Sequence, residues 1–175
     1  QDGDEYPFKG LCGTGLAFKL HTALSMKVIP SESEGMTFRQ EQEKWLLDLV
    51  AMATVADMMP LLDENRMLVK YGLFVLAKTK RLGLKKLMES AGIEAKYNLE
   101  TLTTNLDSFT LGFTLGPRIN AASRMAHANL AYELLNSSDE AKIDELVLSL
   151  NDNNRRRQQI VEKVLKDVRS RIDAY

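Results

Sequence analysis

Apolar residues recur at helical spacing along most of the chain, and polar clusters with glycine or proline separate the runs. The first run, Leu16, Ala17, Leu20, Ala23 and Leu24, predicts a helix. Four further helices are predicted from helix-start residues and from the glycines or prolines that end them. The first begins near Phe38 and ends before Pro60. The others are Asp63 to Ala77, Gly83 to Gly92, and Thr101 to Phe113. Because the period is helical nearly everywhere, no strand is predicted.

The last third of the chain predicts a short helix and then a long one. After His127 the apolar spacing is again helical, and the cluster Ser137–Glu140 is a typical start for the next helix. Residues 151–159 include no apolar side chain, so more than two turns have no face to bury. Such a stretch either crosses solvent between domains or is a loop, and we predict the crossing helix.

The segment around Gly116 and Pro117 combines a helix start with candidate phosphate ligands. Proline is tolerated at the first helical position, so Pro117 predicts the start of a helix. Asn120 and Arg124 then share one face, and Arg118 places a cation near the positive end of the helix dipole, which a bound anion would relieve. The alternative is a buried turn whose arginines pair with carboxylates.

Composition bounds the class of protein. The chain has 175 residues, of which 45% are hydrophobic, so it can bury a core. A net charge of -1 gives no overall nucleic-acid signature, and DNA contacts would need a local patch. A single cysteine, Cys12, excludes an internal disulfide and is compatible with a reducing cytosol. The chain starts at Gln1 and ends within a helical pattern, so we interpret it as an excised fragment.

Asp57 is the sharpest candidate for chemistry. It lies in an almost wholly apolar stretch, Leu49 to Leu62, where an ionised carboxylate is costly unless it is paired or binds a metal. The alternative is a cap or turn carboxylate ahead of Pro60. The histidines, His21 and His127, are far apart and suggest no zinc site. Arg155, Arg156 and Arg157 form either a solvated helix face or a phosphate contact.

Three segments, in the same order, resemble motifs of the RecJ-like single-stranded-DNA-specific exonucleases, which are DHH phosphoesterases. Residues 11–20 resemble the motif LCGAGVAFKL, residues 48–61 resemble DLVALGTVADVVPL, and residues 116–124 resemble GPRxNAAGR. Ala53 and Ser123 replace glycines of the family pattern, so the close backbone packing at those two points need not be retained.

The resemblance implies metal-dependent hydrolysis of single-stranded DNA from its 5′ end, in cytoplasmic DNA repair and recombination. It implies that Asp57 is a ligand of Mn²⁺ or Mg²⁺, and that Arg118, Asn120 and Arg124 hold the DNA phosphate nearby. His127 and the Arg155–Arg157 run are secondary candidates for binding DNA. The expected partners are single-stranded DNA and other repair proteins, without a membrane.

The fold class implied is a mostly α-helical fragment of an α/β parent. Residues 1–136 are expected to be the C-terminal portion of a DHH-type catalytic domain, and residues 137–175 a long helix that connects to a second domain. The Asp-x-Asp and Asp-His-His motifs of the family do not occur here, so we expect the isolated chain not to cleave DNA. Two alternatives stay open: a DHH phosphoesterase for short oligonucleotides or cyclic dinucleotides, and a non-enzymatic helical interaction module.

Overall fold

A computed structural model describes residues 3, 5–28, 42–125 and 127–173 of the chain. It confirms a mostly helical fold. The helices are α1 (Gly13–Val28), α2 (Leu47–Ala56), α3 (Asp63–Ala77), α4 (Leu82–Ser90), α5 (Gly116–Met125), α6 (Asn129–Asn136) and α7 (Glu140–Ile172). A π-helical turn, Thr110–Leu115, leads directly into α5, and strands β1 (Tyr97–Asn98) and β2 (Thr103–Thr104) form an antiparallel hairpin. The predicted start near Phe38 lies outside the described residues.

Contacts divide the chain into two compact units, of which unit 1 comprises residues 1–80 and 94–116. Its centre is the pair α2 and α3, onto which α1 and the π-helical turn pack through α2. Gly72 on α3 lies against the Ala51 side chain and the Leu47 carbonyl, where a Cβ atom would clash. Glycine at this position therefore allows the two helices to pack closely.

Buried polar side chains fix the loops of unit 1. The buried amide of Asn65 donates to the carbonyls of Gly10, at 2.7 Å, and Pro60, at 3.0 Å. Asp48, also buried, accepts a 2.7 Å hydrogen bond from the Thr79 hydroxyl. Because buried polar groups are costly without partners, the Asn65 bonds hold the loop between α2 and α3 in one conformation, and the Asp48 bond joins α2 to the segment that follows α3.

Unit 2 comprises residues 81–93 and 117–175, and helices α4 and α6 pack with α7 and with each other. Helix α7 begins as predicted, because the Asp139 side chain accepts from the backbone N–H groups of Ala141, at 3.0 Å, and Lys142, at 3.3 Å. The polar stretch 151–159 is helical, which confirms the continuous helix over the loop. Beyond it, the apolar side chains from Ile160 to Ile172 are exposed.

Residues 101–107 do not form the predicted helix. Asn98 closes a hairpin there, because its side-chain oxygen accepts from the backbone N–H groups of Glu100, at 2.8 Å, and Thr101, at 3.1 Å. Local side-chain bonds of this kind compete with helix formation. The helical part of the predicted segment begins only at Ser108.

The α-helix predicted to start at Gly116 and Pro117 is present as α5, but the free N-terminus expected for it is not. The chain is already helical from Ser108, and the Gly116 N–H donates to the Leu111 carbonyl five residues earlier. Proline lacks a backbone N–H and its ring crowds the preceding turn, and a wider π-helical turn accommodates both effects. A Cβ at position 116 would lie 2.8 Å from the Leu111 carbonyl oxygen, so glycine fits this position. No free helix N-terminus is therefore available at Pro117 for an anion.

The helical run that contains Pro117 has its N-cap at Asp107. One Asp107 carboxylate oxygen accepts from both the backbone N–H and the hydroxyl of Thr110, each at 2.8 Å. The hydrogen bond from the Thr110 backbone is the main reason that the pKa of Asp107 is lowered. Asp107 and Thr110 have the spacing of an N-cap, a signal that the apolar periodicity alone does not give.

Replacing this cap tests where the helix starts. We expect Asp107→Ala to reduce the free energy of unfolding by about 0.5–1 kcal/mol near neutral pH, whereas Asp107→Asn retains most of it. Because the native pKa is lowered, the cap stabilises above the unfolded-state pKa of about 3.9, and this stabilisation disappears as the pH falls through the lower native value. Urea unfolding over a pH series, followed by circular dichroism, measures both effects. A deficit in Asp107→Ala that persists in acid would contradict this assignment.

Candidate functional site

Three polar side chains from two helices of unit 2 line one small cavity. Asn120 and Arg124 come from α5 and Arg157 comes from α7; with Pro117 they enclose about 120 Å³. We call this cavity, lined by Pro117, Asn120, Arg124 and Arg157, the anion basin.

The helices present these side chains for simple geometric reasons. Asn120 and Arg124 are one helical turn apart and share a face of α5. On α7, Arg157 is held by the turn before it, because one terminal nitrogen of its guanidinium donates to the Asn154 side-chain oxygen at 3.1 Å. Asn154 is only 6% exposed, so its own position is fixed. The Nε atom of Arg157 is buried and has no hydrogen-bond partner among the described residues.

The basin is positively charged. Among the described residues, no carboxylate lies within ion-pair distance of Arg124 or Arg157, so the alternative of carboxylate pairing does not hold for Arg124. The two guanidinium groups supply planar, charged N–H donors, and the Asn120 amide supplies a neutral one. Together these donors match the oxygens of a phosphate. The arrangement can therefore bind a phosphate group.

Arg118 does not line the basin. It lies two residues before Asn120, which places it about 200° around the helix. Its half-buried guanidinium donates from Nε to the Asn151 side-chain oxygen at 2.9 Å, and Asn151 in turn donates to the Ser90 hydroxyl at 3.1 Å. Burial lowers the pKa of Arg118, but an arginine stays charged. Arg118 thus links α5, α7 and α4 within unit 2.

The remaining cationic candidates are exposed, and they do not line the basin. The His127 carbonyl accepts from the Leu130 N–H at 3.1 Å, in the connection between α5 and α6. Arg155 forms an ion pair with Asp152 at 3.9 Å, and Arg156 is exposed on α7. Of the predicted arginine run, only Arg157 lines the anion basin.

Asp57 lies at the C-terminal end of α2 in unit 1, where its N–H donates to the Ala53 carbonyl at 2.9 Å. Its side chain is exposed, although its sequence neighbours are apolar. The expectation that burial forces Asp57 to bind a partner is therefore wrong, because position 57 is the C-cap of α2 and the adjacent Met58 is itself 89% exposed. Among the described residues, no group of three or more histidines, cysteines or acidic residues could hold a metal.

Sequence reasoning did not identify Asn154 or the pairing of α5 with α7 around the basin. The three-residue spacing of Asn154 and Arg157 is a local signal for a helical side-chain pair. The approach of Arg157 to Asn120 and Arg124 depends on tertiary packing, which no local pattern specifies.

The chain is similar to curated RecJ proteins over most of its length. No family model matches it. It is 41% identical over 165 residues to the single-stranded-DNA-specific exonuclease RecJ of Bacillus subtilis, covering 94% of this chain and 18% of that protein. It is 34% identical over 159 residues to RecJ of Escherichia coli, and the match covers 89% of this chain and 26% of that protein. The chain thus spans about a fifth to a quarter of the length of these relatives.

Solved structures give the same result. The crystal structure of RecJ in complex with Mg²⁺ from Thermus thermophilus matches with a TM-score of 0.73 at 33% identity, covering 93% of this chain and 23% of that chain. A crystal structure of exonuclease RecJ bound to manganese matches with the same TM-score and identity, and the match covers 93% of this chain and 37% of that chain. These findings confirm the resemblance predicted from the three motifs. Over about nine-tenths of its length, the chain is similar in sequence and in fold to a segment of the RecJ single-stranded-DNA-specific exonucleases.

Proposed function

We propose that this chain is part of a metal-dependent 5′→3′ single-stranded-DNA exonuclease, in which it supplies a phosphate-binding surface. The observation that carries the proposal is the anion basin, where Arg124 and Arg157 face one cavity without a carboxylate partner among the described residues. The similarity to proteins named single-stranded-DNA-specific exonucleases supports the choice of DNA as the source of the phosphate.

In this proposal the basin holds a backbone phosphate and does not read the base. Arg124 and Arg157 would bind the phosphate oxygens, and Asn120 would add a neutral donor. Arg118 would act as a positioning residue through its bond to Asn151 on α7. His127, Arg155 and Arg156 remain predicted outer contacts to the DNA.

A divalent metal is the proposed cofactor, since solved RecJ structures contain Mg²⁺ or Mn²⁺. Asp57 is the candidate ligand in this chain. Its exposed carboxylate lies at the negative end of the α2 dipole, where a cation is favoured, and oxygen ligands suit these ions. One carboxylate does not make a complete site, and the described residues form no larger cluster. They therefore support phosphate binding and not hydrolysis by themselves.

The domain assignment is part of the same proposal. Residues 1–136 would be the C-terminal portion of a DHH-type catalytic domain, and residues 137–175 the helix that connects it to a second domain. The continuous α7, exposed along its second half, supports the connecting role. Roles in DNA repair and recombination, a cytoplasmic location and repair-protein partners follow from the resemblance alone. No described helix is long and apolar enough to cross a membrane.

Substitutions in the basin test phosphate binding. We expect Arg124→Ala and Arg157→Ala each to weaken binding of a labelled oligo-dT by about 5- to 10-fold at low salt, because each removes a charged phosphate contact. Each should also reduce the dependence of log affinity on log salt by about 0.7. Fluorescence anisotropy of the labelled strand at several salt concentrations gives both quantities.

The matched control is Arg171→Ala, which removes an exposed arginine of the same helix that pairs with Asp167 at 3.0 Å. It should change binding less than twofold, because Arg171 does not line the basin and its charge is already paired. If all three variants bind alike, while circular dichroism shows that they are folded, the basin is not the phosphate site.

The cofactor proposal predicts that the purified 175-residue chain does not cleave single-stranded DNA when Mn²⁺ or Mg²⁺ is added. The reason is that two-metal hydrolysis needs several converging ligands, and the described residues form no group of three or more histidines, cysteines or acidic residues. A denaturing gel of end-labelled strand, with a full-length RecJ as the positive control, measures this. Mn²⁺-dependent cleavage that Asp57→Ala abolishes would overturn the prediction.

A further inference from the structure

Trp45 in unit 1 is surrounded by lysines. The ammonium of Lys80 lies 4.4 Å from the centroid of the Trp45 ring system, and those of Lys78 and Lys44 lie 5.7 and 5.8 Å from it. Lys78 also lies 5.3 Å from the Phe74 ring centre and 5.8 Å from that of Tyr97. All of these distances are within the range of cation–π attraction. We call Lys44, Trp45, Lys78, Lys80 and Tyr97 the aromatic–lysine patch.

Packed aromatic rings form the framework under the patch. Phe74 is buried on α3, and its ring meets the Tyr97 ring edge-to-face, with centroids 6.0 Å apart and planes at 88°. Lys78 caps the end of α3, so its half-buried ammonium is held among three rings. The outward-facing groups are Lys80, which is exposed, Tyr97, which is 48% exposed, and the partly exposed Trp45. Tyr97 lies on the hairpin, which packs on α3 through β2.

The charge of the patch is not balanced by acids that pair with Lys78 or Lys80. Among the described residues, no carboxylate lies within ion-pair distance of either ammonium. Cation–π contacts at exposed sites are weak, and like charges gathered around one ring repel one another. A polyanion with flat aromatic groups would satisfy both the lysines and the rings.

We infer that the aromatic–lysine patch is a second contact for single-stranded DNA, separate from the anion basin, in which a base stacks on Trp45 and Lys80 binds an adjacent phosphate. Aromatic rings interleaved with cations bind single strands without sequence preference, because every base has a stacking face. Lys78 holds the rings in place from within. The inference rests on the proposed single-stranded DNA substrate, but it involves only residues of unit 1.

The chain reports on this contact directly, since Trp45 is its one tryptophan. Titration of oligo-dT into the full 175-residue chain should quench the fluorescence of Trp45, and a duplex of the same length should quench it much less. Trp45→Ala should weaken binding about tenfold, measured by anisotropy of a labelled strand. Trp45→Phe, which keeps a stacking ring, should recover much of that loss.

Lys80→Glu is the charge test, because it changes an exposed side chain and leaves the rings intact. It should weaken binding about tenfold and lower the salt dependence by at least about 0.7. The matched control is Lys70→Glu, in which the lysine also faces a ring, that of Tyr71 at 5.8 Å. This control should change affinity less than twofold.

The result separates this inference from the proposed function. If the strand binds and Arg124→Ala or Arg157→Ala weakens it, but Trp45 fluorescence does not change, the patch is a structural cation–π cluster and the proposed function stands. The inference would also be overturned if Lys80→Glu and Lys70→Glu weakened binding equally, or if a duplex quenched Trp45 fluorescence as much as the single strand does. Quenching that persists in the basin variants supports two independent contacts.

Discussion

Pro117 imposes the constraint on which the geometry of the candidate site depends. It interrupts the backbone hydrogen bonds of a helix that runs from Ser108 to Met125, and the chain responds with a π-helical turn in which Gly116 donates to Leu111. Gly116 lets the Leu111 carbonyl approach closely, and Asp107 caps the start of the run. The helix therefore continues through the proline and presents Asn120 and Arg124 on one face.

This arrangement changes the physical basis for phosphate binding. A free helix N-terminus would have offered backbone N–H groups, whereas the basin offers side chains from α5 and α7. Arg157 is the side chain that α7 adds to the basin. Asn154 fixes its guanidinium, and its Nε atom is buried without a partner among the described residues. The binding energy then depends on charge and on helix packing in unit 2, and it should be sensitive to salt.

The sequence predicted those features that local chemistry controls. Asp139 begins α7, the acidic start of α3 lies at Asp63, and the polar stretch 151–159 is helical. The two failures have different causes: apolar sequence neighbours do not imply burial, and a local side-chain hydrogen bond can replace a helical turn. Asp57 has apolar neighbours yet is exposed at a helix end, and the Asn98 turn replaces a predicted helix. The meeting of Arg157 with Arg124 is tertiary, so no spacing rule could predict it.

The central claim is that Arg124 and Arg157 together bind one phosphate of a single strand. Nuclear magnetic resonance of the arginine Nε–H groups, recorded while a short oligo-dT is added to the full chain, tests it most directly. We expect the signals of Arg124 and Arg157 to shift at the same DNA concentration, and that of Arg171, which pairs with Asp167, to shift little. Shifts that are uniform over all arginines, or that spare Arg124 and Arg157, would contradict it.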